Sequence, residues 1–317
     1  MLKKSVILFL VLFSFNTVAQ NRDSNFKITL DSLIQQDNFS EFIYVQLDKF
    51  SKNASVENLT IFESISSELW RIPKNENENT AQLYYYINYA YNLKQFGFIN
   101  QSIIQYEKAF SFYNNINVKF DIIEFCLKPL ANNYTRLGDV DRAEDILKIT
   151  IDKAQKQNNT TQIIAGYSNL AVVFRTKGEY AKAINYLNLG LNLTTEEEIK
   201  ARIYSDLAIN FLYLNEVKKA KENIQLSNKY NVRNNSSISI KNKITLANCF
   251  VKNKNFDKAI IQFENALKTT KITFGERDRE VAKIHNQLAE VYSKTNQIEK
   301  GLIYYQKSLS VLLPKYH

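Results

Sequence analysis

The fold is decided by the stretch YSNLAVVFRTKGEYAKAINYLNLGL, residues 167–191. It holds a Leu-Ala pair, a Phe three positions after the Ala, a Gly seven positions after it and a second Ala twelve positions after it. Apolar residues recur at helical spacing on both sides of the polar break Lys177-Gly178-Glu179. The stretch therefore predicts two antiparallel helices, with Gly178 ending the first helix in a left-handed backbone conformation.

The same pattern recurs along most of the chain. Its small-residue landmarks lie 41, 40, 37, 39 and 42 residues apart, at Ala90, Ala131, Ala171, Ala208, Ala247 and Ala289. A period of about 40 residues indicates a repeat architecture. Small side chains are needed where the axes of facing helices approach to about 8–10 Å. With only seven Gly and three Pro, the composition disfavours a β-rich fold with many tight turns and favours an all-α fold.

The repeating unit resembles the tetratricopeptide repeat (TPR). The landmarks that carry the resemblance in the best unit are Leu170, Ala171, Phe174, Gly178, Tyr180, Ala183, Leu187 and Gly190. Later units place Asn215, Lys254 and Asn296 where the inter-helix Gly is expected, and Asn tolerates the same backbone region. The resemblance implies an all-α, right-handed superhelical solenoid of antiparallel helix pairs, with about six repeats in residues 81–317.

Residues 1–19 have the order of a secretory signal peptide. Lys3 and Lys4 precede an apolar run from Val6 to Phe15, and cleavage is expected after Ala19. The run is shorter than the roughly 20 residues of a membrane-spanning helix. We therefore expect a bacterial protein that is exported to the periplasm or secreted, with no integral membrane segment after cleavage.

Residues 20–80 are helical in pattern but do not keep the register of the repeats. They are interpreted as degenerate repeats or an N-terminal cap. Pro73 and the polar run 74–80 are predicted to form an internal loop.

A second resemblance is carried by FDIIEFCLKPLANNYTRLGDVDRAEDILK, residues 120–148, and FGERDREVAKIHNQLAEVY, residues 274–292. Together with the unit between them, these stretches look like the repeat region that precedes the caspase-like CHAT domain of bacterial proteins. The second stretch is also similar to the repeats of kinesin light chain. A CHAT protease needs a His and Cys dyad in a further α/β domain, and this chain ends at His317. The resemblance implies an alternative function, as the sensing module of a protease whose catalytic domain is on another chain.

The sequence offers no catalytic constellation. Its only histidines are His285 and His317, and it has no HExxH, CxxC or phosphate-binding Gly loop. His285 is expected to pack in the core. Cys126 and Cys249 are too far apart in an array to form a disulfide and are expected to be buried. We expect a non-catalytic protein without cofactor or metal.

Binding is expected on the inner surface of the array, which the first helix of each pair lines. By resemblance to the family, the residues predicted to bind a peptide there are Lys128, Asn132, Asn169, Arg175, Arg202, Lys241, Asn248 and Lys252. Further inward positions hold Lys94, Arg136, Asp206, Lys283 and Lys294. Basic residues outnumber acidic ones, so the predicted partner is a protein or peptide of acidic or extended character. Nucleic acid is not expected as the partner of an exported protein.

Four of these positions also correspond to the carboxylate-clamp subgroup of the family, namely Lys128, Asn132, Asn169 and Arg202. Asp206 departs from that pattern, since the clamp has a second basic residue there. A different surface is predicted on the last helix, where an apolar stripe is expected to dock a partner or a second copy; its members are Leu302, Tyr305, Leu309 and Leu312.

Overall fold

The computed structural model describes residues 19–313, and these residues form α-helices and connecting turns without any strand. Apart from Ala19, the predicted signal peptide lies outside the described residues, as does His317. The chain divides into two compact units, residues 1–153 and 154–317, and the boundary falls inside one helix. The prediction of an all-α solenoid of paired helices is confirmed.

The described part of the first unit, from residue 19 on, contains seven α-helices, the last of which runs across the boundary. They are α1 (Ala19–Gln35), α2 (Phe39–Lys52), α3 (Thr60–Glu68), α4 (Glu76–Gln95), α5 (Ile99–Asn114), α6 (Lys128–Leu137) and α7 (Val140–Lys156). A 3₁₀ turn at Glu57–Leu59 leads into α3, and one π-helical turn at Ile123–Leu127 leads into α6. Half of the buried residues in the core cluster between Leu30 and Leu93 are aromatic, among them Phe39, Phe42 and Phe62.

The second unit consists of four helical hairpins. Their helices are α8 (Thr160–Thr176), α9 (Tyr180–Asn192), α10 (Glu197–Tyr213), α11 (Val217–Tyr230), α12 (Ser236–Lys252), α13 (Phe256–Phe274), α14 (Arg279–Lys294) and α15 (Ile298–Leu312). The two helices of a hairpin pack on each other, and the second helix also packs on the first helix of the next hairpin. The first helices α10 and α12 are direct neighbours as well.

The turn inside each hairpin has one recurring geometry. At Gly178 the backbone φ is +78°, and the next N–H, of Glu179, donates a 2.8 Å hydrogen bond to the carbonyl of Phe174. This six-residue closure satisfies carbonyls that the helix end leaves open. Asn215 and Asn296 take the same conformation as predicted, with φ of +63° and +59°, and so does Lys254, with φ of +57°.

The alanine landmarks lie at the crossings of the paired helices. All six of them are at most 1% exposed. The small residues twelve positions later are buried as well: Ser102, Ala143, Ala183, Ala220, Ala259 and Gly301. The pattern of small residues that predicted the fold is therefore the pattern of closest helix approach.

The N-terminal region begins with a hairpin of the same kind. Asp37, between α1 and α2, has φ of +52°, and the N–H of Asn38 closes the turn on the carbonyl of Leu33 at 2.9 Å. Here Asp37 occupies the position that Gly178 holds in its repeat, while the large residues Leu30 and Phe42 stand where the repeats have small ones.

The prediction of a loop at residues 74–80 is wrong from residue 76 onward, because α4 begins at Glu76. The side chain of Asn75 accepts a 3.0 Å hydrogen bond from the N–H of Glu78. The Glu78 carboxylate in turn accepts from the N–H of Lys74 at 2.7 Å. This reciprocal capping starts the helix within the polar run.

Candidate functional site

A cleft of about 1210 Å³ lies in the second unit. Its lining comes from the first helices of the hairpins, α8, α10, α12 and α14, and from the second helix α13 with its flanking turns. This is the surface type on which binding was predicted. Small-molecule pockets usually have volumes of about 300–1,000 Å³, so this cleft is larger than most of them.

The cleft has an apolar floor, to which the buried lining residues Leu212, Ile240, Phe263 and Val291 belong. The other apolar lining residues are Ile209, Tyr213, Ile244, Val251, Phe256 and Phe274, of which Tyr213 and Phe274 are exposed. Phe263 and Val291 belong to the core between the last two hairpins, so this part of the floor is held rigidly. Among these apolar residues stand the side chains of Thr245, Asn248 and Gln287. Amides in such a position are able to hydrogen-bond the backbone of an extended peptide.

The rim of the cleft carries an excess of positive charge. Its cations are Arg175, Lys241, Lys252, Lys254, Lys283 and Lys294, and its carboxylates are Asp278, Glu280 and Glu290. Two of the cations are already paired. Lys283 Nζ lies 2.8 Å from Glu280 Oε2, and Lys241 Nζ lies 3.0 Å from an oxygen of the buried Asp206.

The four other cations of the rim form no ion pair with any residue between 19 and 313. Arg175 differs from the three lysines in that its Nη1 is buried and has no hydrogen-bond partner in this part of the chain. A buried unsatisfied donor costs about 1–3 kcal/mol. Arg175 therefore gives the cleft a donor that an anionic group would satisfy.

The structure brings half of the predicted peptide-binding residues to this cleft: Arg175, Lys241, Asn248 and Lys252. Lys283 and Lys294, also predicted to face inward, line it too. Asn169 and Arg202 lie in the second unit but not on the cleft lining. Lys128 and Asn132 belong to the first unit, where Lys128 Nζ pairs with Glu124 Oε2 at 2.6 Å.

Some lining residues were not recognised in the sequence. Lys254 was read only as a replacement for the turn Gly, and Phe263 lies on a second helix, which the prediction did not consider. Asp278 and Glu280 start α14, where Asp278 accepts a 2.7 Å hydrogen bond from the N–H of Glu280. The pattern Asp-Arg-Glu at 278–280 signals a helix start, but their place on the cleft follows only from packing.

His285 and the two cysteines, which the sequence offers as reactive residues, pack in the core. His285 is buried as predicted, with its ring 5.6 Å from that of Tyr304, and burial lowers its pKa. Cys126 and Cys249 are free and buried as predicted. Burial raises the pKa of Cys126, and it raises that of Cys249 to about 11. No cluster of metal-binding side chains occurs within the described residues.

The apolar stripe predicted on the last helix is solvent-exposed in the described structure. Leu302, Leu309 and Leu312 are 57%, 54% and 51% exposed, and Tyr305 is half-buried. Self-association through this face stays a prediction.

Among the described helices, none has the length and apolar character of a membrane span.

Comparisons with known proteins agree with this fold. Residues 238–313 match the family model described as tetratricopeptide repeat. No curated protein matches the sequence. The apo form of RapI has a TM-score of 0.66 at 13% identity, covering 86% of this chain and 97% of its own. Aspartyl phosphate phosphatase F from Bacillus subtilis has a TM-score of 0.63 at 12% identity, covering 90% and 74%.

A Rap protein complexed with competence and sporulation factor has a TM-score of 0.55 at 15% identity, and 92% of each chain is covered. At these identities the similarity concerns the fold alone. The repeating unit is defined by the paired helices, the left-handed turns and the buried alanines. Residues 238–313, which form the last two hairpins, match the tetratricopeptide repeat, and the hairpins α8–α9 and α10–α11 share their helix pairing and left-handed turns.

Proposed function

We propose that this protein is a non-catalytic scaffold that binds a protein or peptide in the cleft of its second unit. The observation that carries the proposal is the combination of an apolar floor with four unpaired cations on one rim. Such a surface binds an extended segment that presents apolar side chains together with carboxylates. The Rap complex supports this type of binding, because there a protein of similar fold is bound to competence and sporulation factor.

A ligand is bound by several contacts together, because the free energy of any single ion pair is too small. A solvent-exposed ion pair contributes about 0–1 kcal/mol, whereas a hydrogen bond to a charged group contributes about 1.5–3 kcal/mol. The apolar floor adds burial of the ligand's side chains at about 25 cal/mol per Å². Specific binding therefore requires both parts of the cleft at once.

The test is capture of partners by charge-reversed protein. The double variant Lys252→Glu/Lys294→Glu is compared with Lys268→Glu, whose side chain is exposed on α13 and lies outside the cleft lining. Proteins from the exported fraction are crosslinked to each variant and identified. We expect the double variant to lose the partners that the wild type and the control retain. Equal capture by all three proteins would refute the cleft as the binding site.

We also propose export, on the strength of the signal-like order of residues 1–19. Loss of Lys3 and Lys4 on cleavage would lower the formal charge from +9 to +7. N-terminal sequencing of the protein from cell fractions tests this. A mature chain that starts at Gln20 outside the cytoplasm is the expected result, and an intact N-terminus in the cytoplasm contradicts it.

In the capture experiment, a caspase-like protease among the partners would instead favour the alternative role as a sensing module.

A further inference from the structure

The charges of the cleft are separated along its length. Arg175, Lys252 and Lys294 stand at the C-terminal ends of α8, α12 and α14, and Lys254 follows two residues after Lys252. At this basic end the only lining carboxylate is Glu290. Asp278 and Glu280 lie at the opposite end, at the start of α14.

At the acidic end the cations are already compensated. Lys283 pairs with Glu280, and Lys241 pairs with Asp206, so the carboxylate of Asp278 is left in excess. At the basic end four cations face the single carboxylate of Glu290. The cleft therefore has a positive end and an end whose lining charges cancel, where the carboxylate of Asp278 belongs to neither ion pair.

The helix dipole alone favours cations at the C-terminal ends of α8, α12 and α14 and acids at the N-terminal end of α14. The buried Nη1 of Arg175 is independent of that effect. It has no acceptor among the described residues. A carboxylate of a ligand bound in the cleft would supply that acceptor.

The length of the site follows from helix geometry. Ser237 and Lys252 both line the cleft and are 15 residues apart on α12. At 1.5 Å per residue this distance is about 22 Å. An extended peptide covers it with about seven residues.

We infer that the cleft takes an extended peptide segment of about seven residues with segregated charge: carboxylates at the end formed by Arg175, Lys252 and Lys294, a cation or amine at the end formed by Asp278, and apolar side chains between them. This inference rests on the proposed peptide-binding function and adds the order of charges along the ligand. The apolar centre fits the floor of the cleft, and Asn248 and Gln287 lie beside it to bond the ligand's backbone.

The experiment uses the full chain and a random library of displayed nine-residue peptides. Peptides enriched on the wild type are sequenced, and the selection is repeated on Lys252→Glu/Lys294→Glu and on the control Lys268→Glu. We expect wild-type ligands to carry Asp or Glu at one end and Lys or Arg at the other. The double variant is expected to select peptides that have lost the acidic end and to bind the wild-type ligands at least about tenfold more weakly.

The outcomes separate the two proposals. Enriched peptides that are acidic throughout, or whose charges have no order, would overturn the segregated ligand while leaving peptide binding intact. The absence of enrichment, or identical peptides from the wild type and the double variant, would overturn the cleft as a peptide site altogether. Selection of the same peptides by wild type and Lys268→Glu is required for the inference to stand.

Discussion

The hydroxyl of Ser102 donates a 2.6 Å hydrogen bond to the carbonyl oxygen of Ala90 on the facing helix of the same hairpin. Ser102 stands twelve positions after Ala90, the place that Ala holds in most of the other repeats, and it is fully buried. The side-chain amide of Asn133, on the next first helix, donates to the same hydroxyl at 2.9 Å. A small residue is therefore required here by contact with the opposing backbone, and a hydroxyl is accepted because its hydrogen bonds are satisfied.

The first prediction concerns the equivalent crossing in the third repeat. Ala183→Leu adds a large side chain where α9 meets α8, and overpacking of this kind costs about 1–3 kcal/mol of unfolding free energy. Ala181→Leu is the matched control, because Ala181 is exposed on the same helix. Urea unfolding of both variants provides the measurement. A cost for Ala183→Leu no greater than that for Ala181→Leu would contradict the crossing.

The fold was largely predictable because its determinants are local. The separation of Ala171 and Ala183 is a property of a single hairpin, and so is the left-handed turn at Gly178. The cleft was only half predictable, because its charges come from four first helices and one second helix. Nothing local in the sequence shows that Asp278 and Lys254 line the same cavity. The pairing of Lys241 with Asp206, 35 residues earlier, likewise depends on the packing of α12 on α10.

The second prediction concerns the turn at Lys254, whose φ of +57° is unfavourable for a residue with a β-carbon. Lys254→Gly removes this strain and is expected to stabilise the protein by about 1 kcal/mol. Lys268→Gly, the same change in the interior of α13, is expected to destabilise it by about 1 kcal/mol. Thermal unfolding compares the two. If both variants have a lower Tm than the wild type, the assigned turn conformation is wrong.

The third prediction concerns an ionic cluster in the first unit. The guanidinium of Arg71 donates to both oxygens of Glu78, at 2.6 and 3.1 Å, and to the carboxylate of Asp37. These contacts fasten the segment before α4 to the turn between α1 and α2. Hydrogen bonds from Arg71 lower the pKa of Glu78 from its ordinary value to about 2.

Because the pKa of Glu78 is lower in the folded state than in the unfolded state, its contribution is complete above about pH 4.5 and declines towards pH 2. Glu78→Gln should therefore cost about 1–2 kcal/mol at pH 7 and much less near pH 3. Asp48→Asn, which breaks the exposed pair with Lys52, should change stability by at most about 0.5 kcal/mol at either pH. Urea unfolding at both pH values tests the difference. A loss for Glu78→Gln that is equal at pH 7 and pH 3 would exclude this titration.

The fourth prediction concerns His285, which is buried with Nδ1 unpartnered among the described residues. Burial lowers its pKa, and the positive charges of Lys271 and Lys307 lower it further. The unfolded chain takes up a proton as the pH falls below about 6.5, while the folded chain takes it up only at lower pH. The wild type should therefore lose stability between pH 7.5 and 5.5 relative to His285→Phe. If the difference in unfolding free energy between the two proteins is the same at both pH values, His285 does not titrate as proposed.

The final prediction separates binding from stability at Arg175. Its Nη1 is a buried donor without a partner, so the unliganded protein bears a cost that a ligand would relieve. Arg175→Met keeps much of the side-chain volume and removes that donor. We expect the unfolding free energy to stay equal or rise by about 1 kcal/mol, while affinity for peptides selected on the wild type falls at least about tenfold. Lys268→Met, at an exposed position on α13 outside the cleft lining, should change neither quantity. Urea unfolding and fluorescence anisotropy of labelled peptides measure the two effects. A variant at Arg175 that loses stability but keeps its affinity would show that the guanidinium supports the fold and not the ligand.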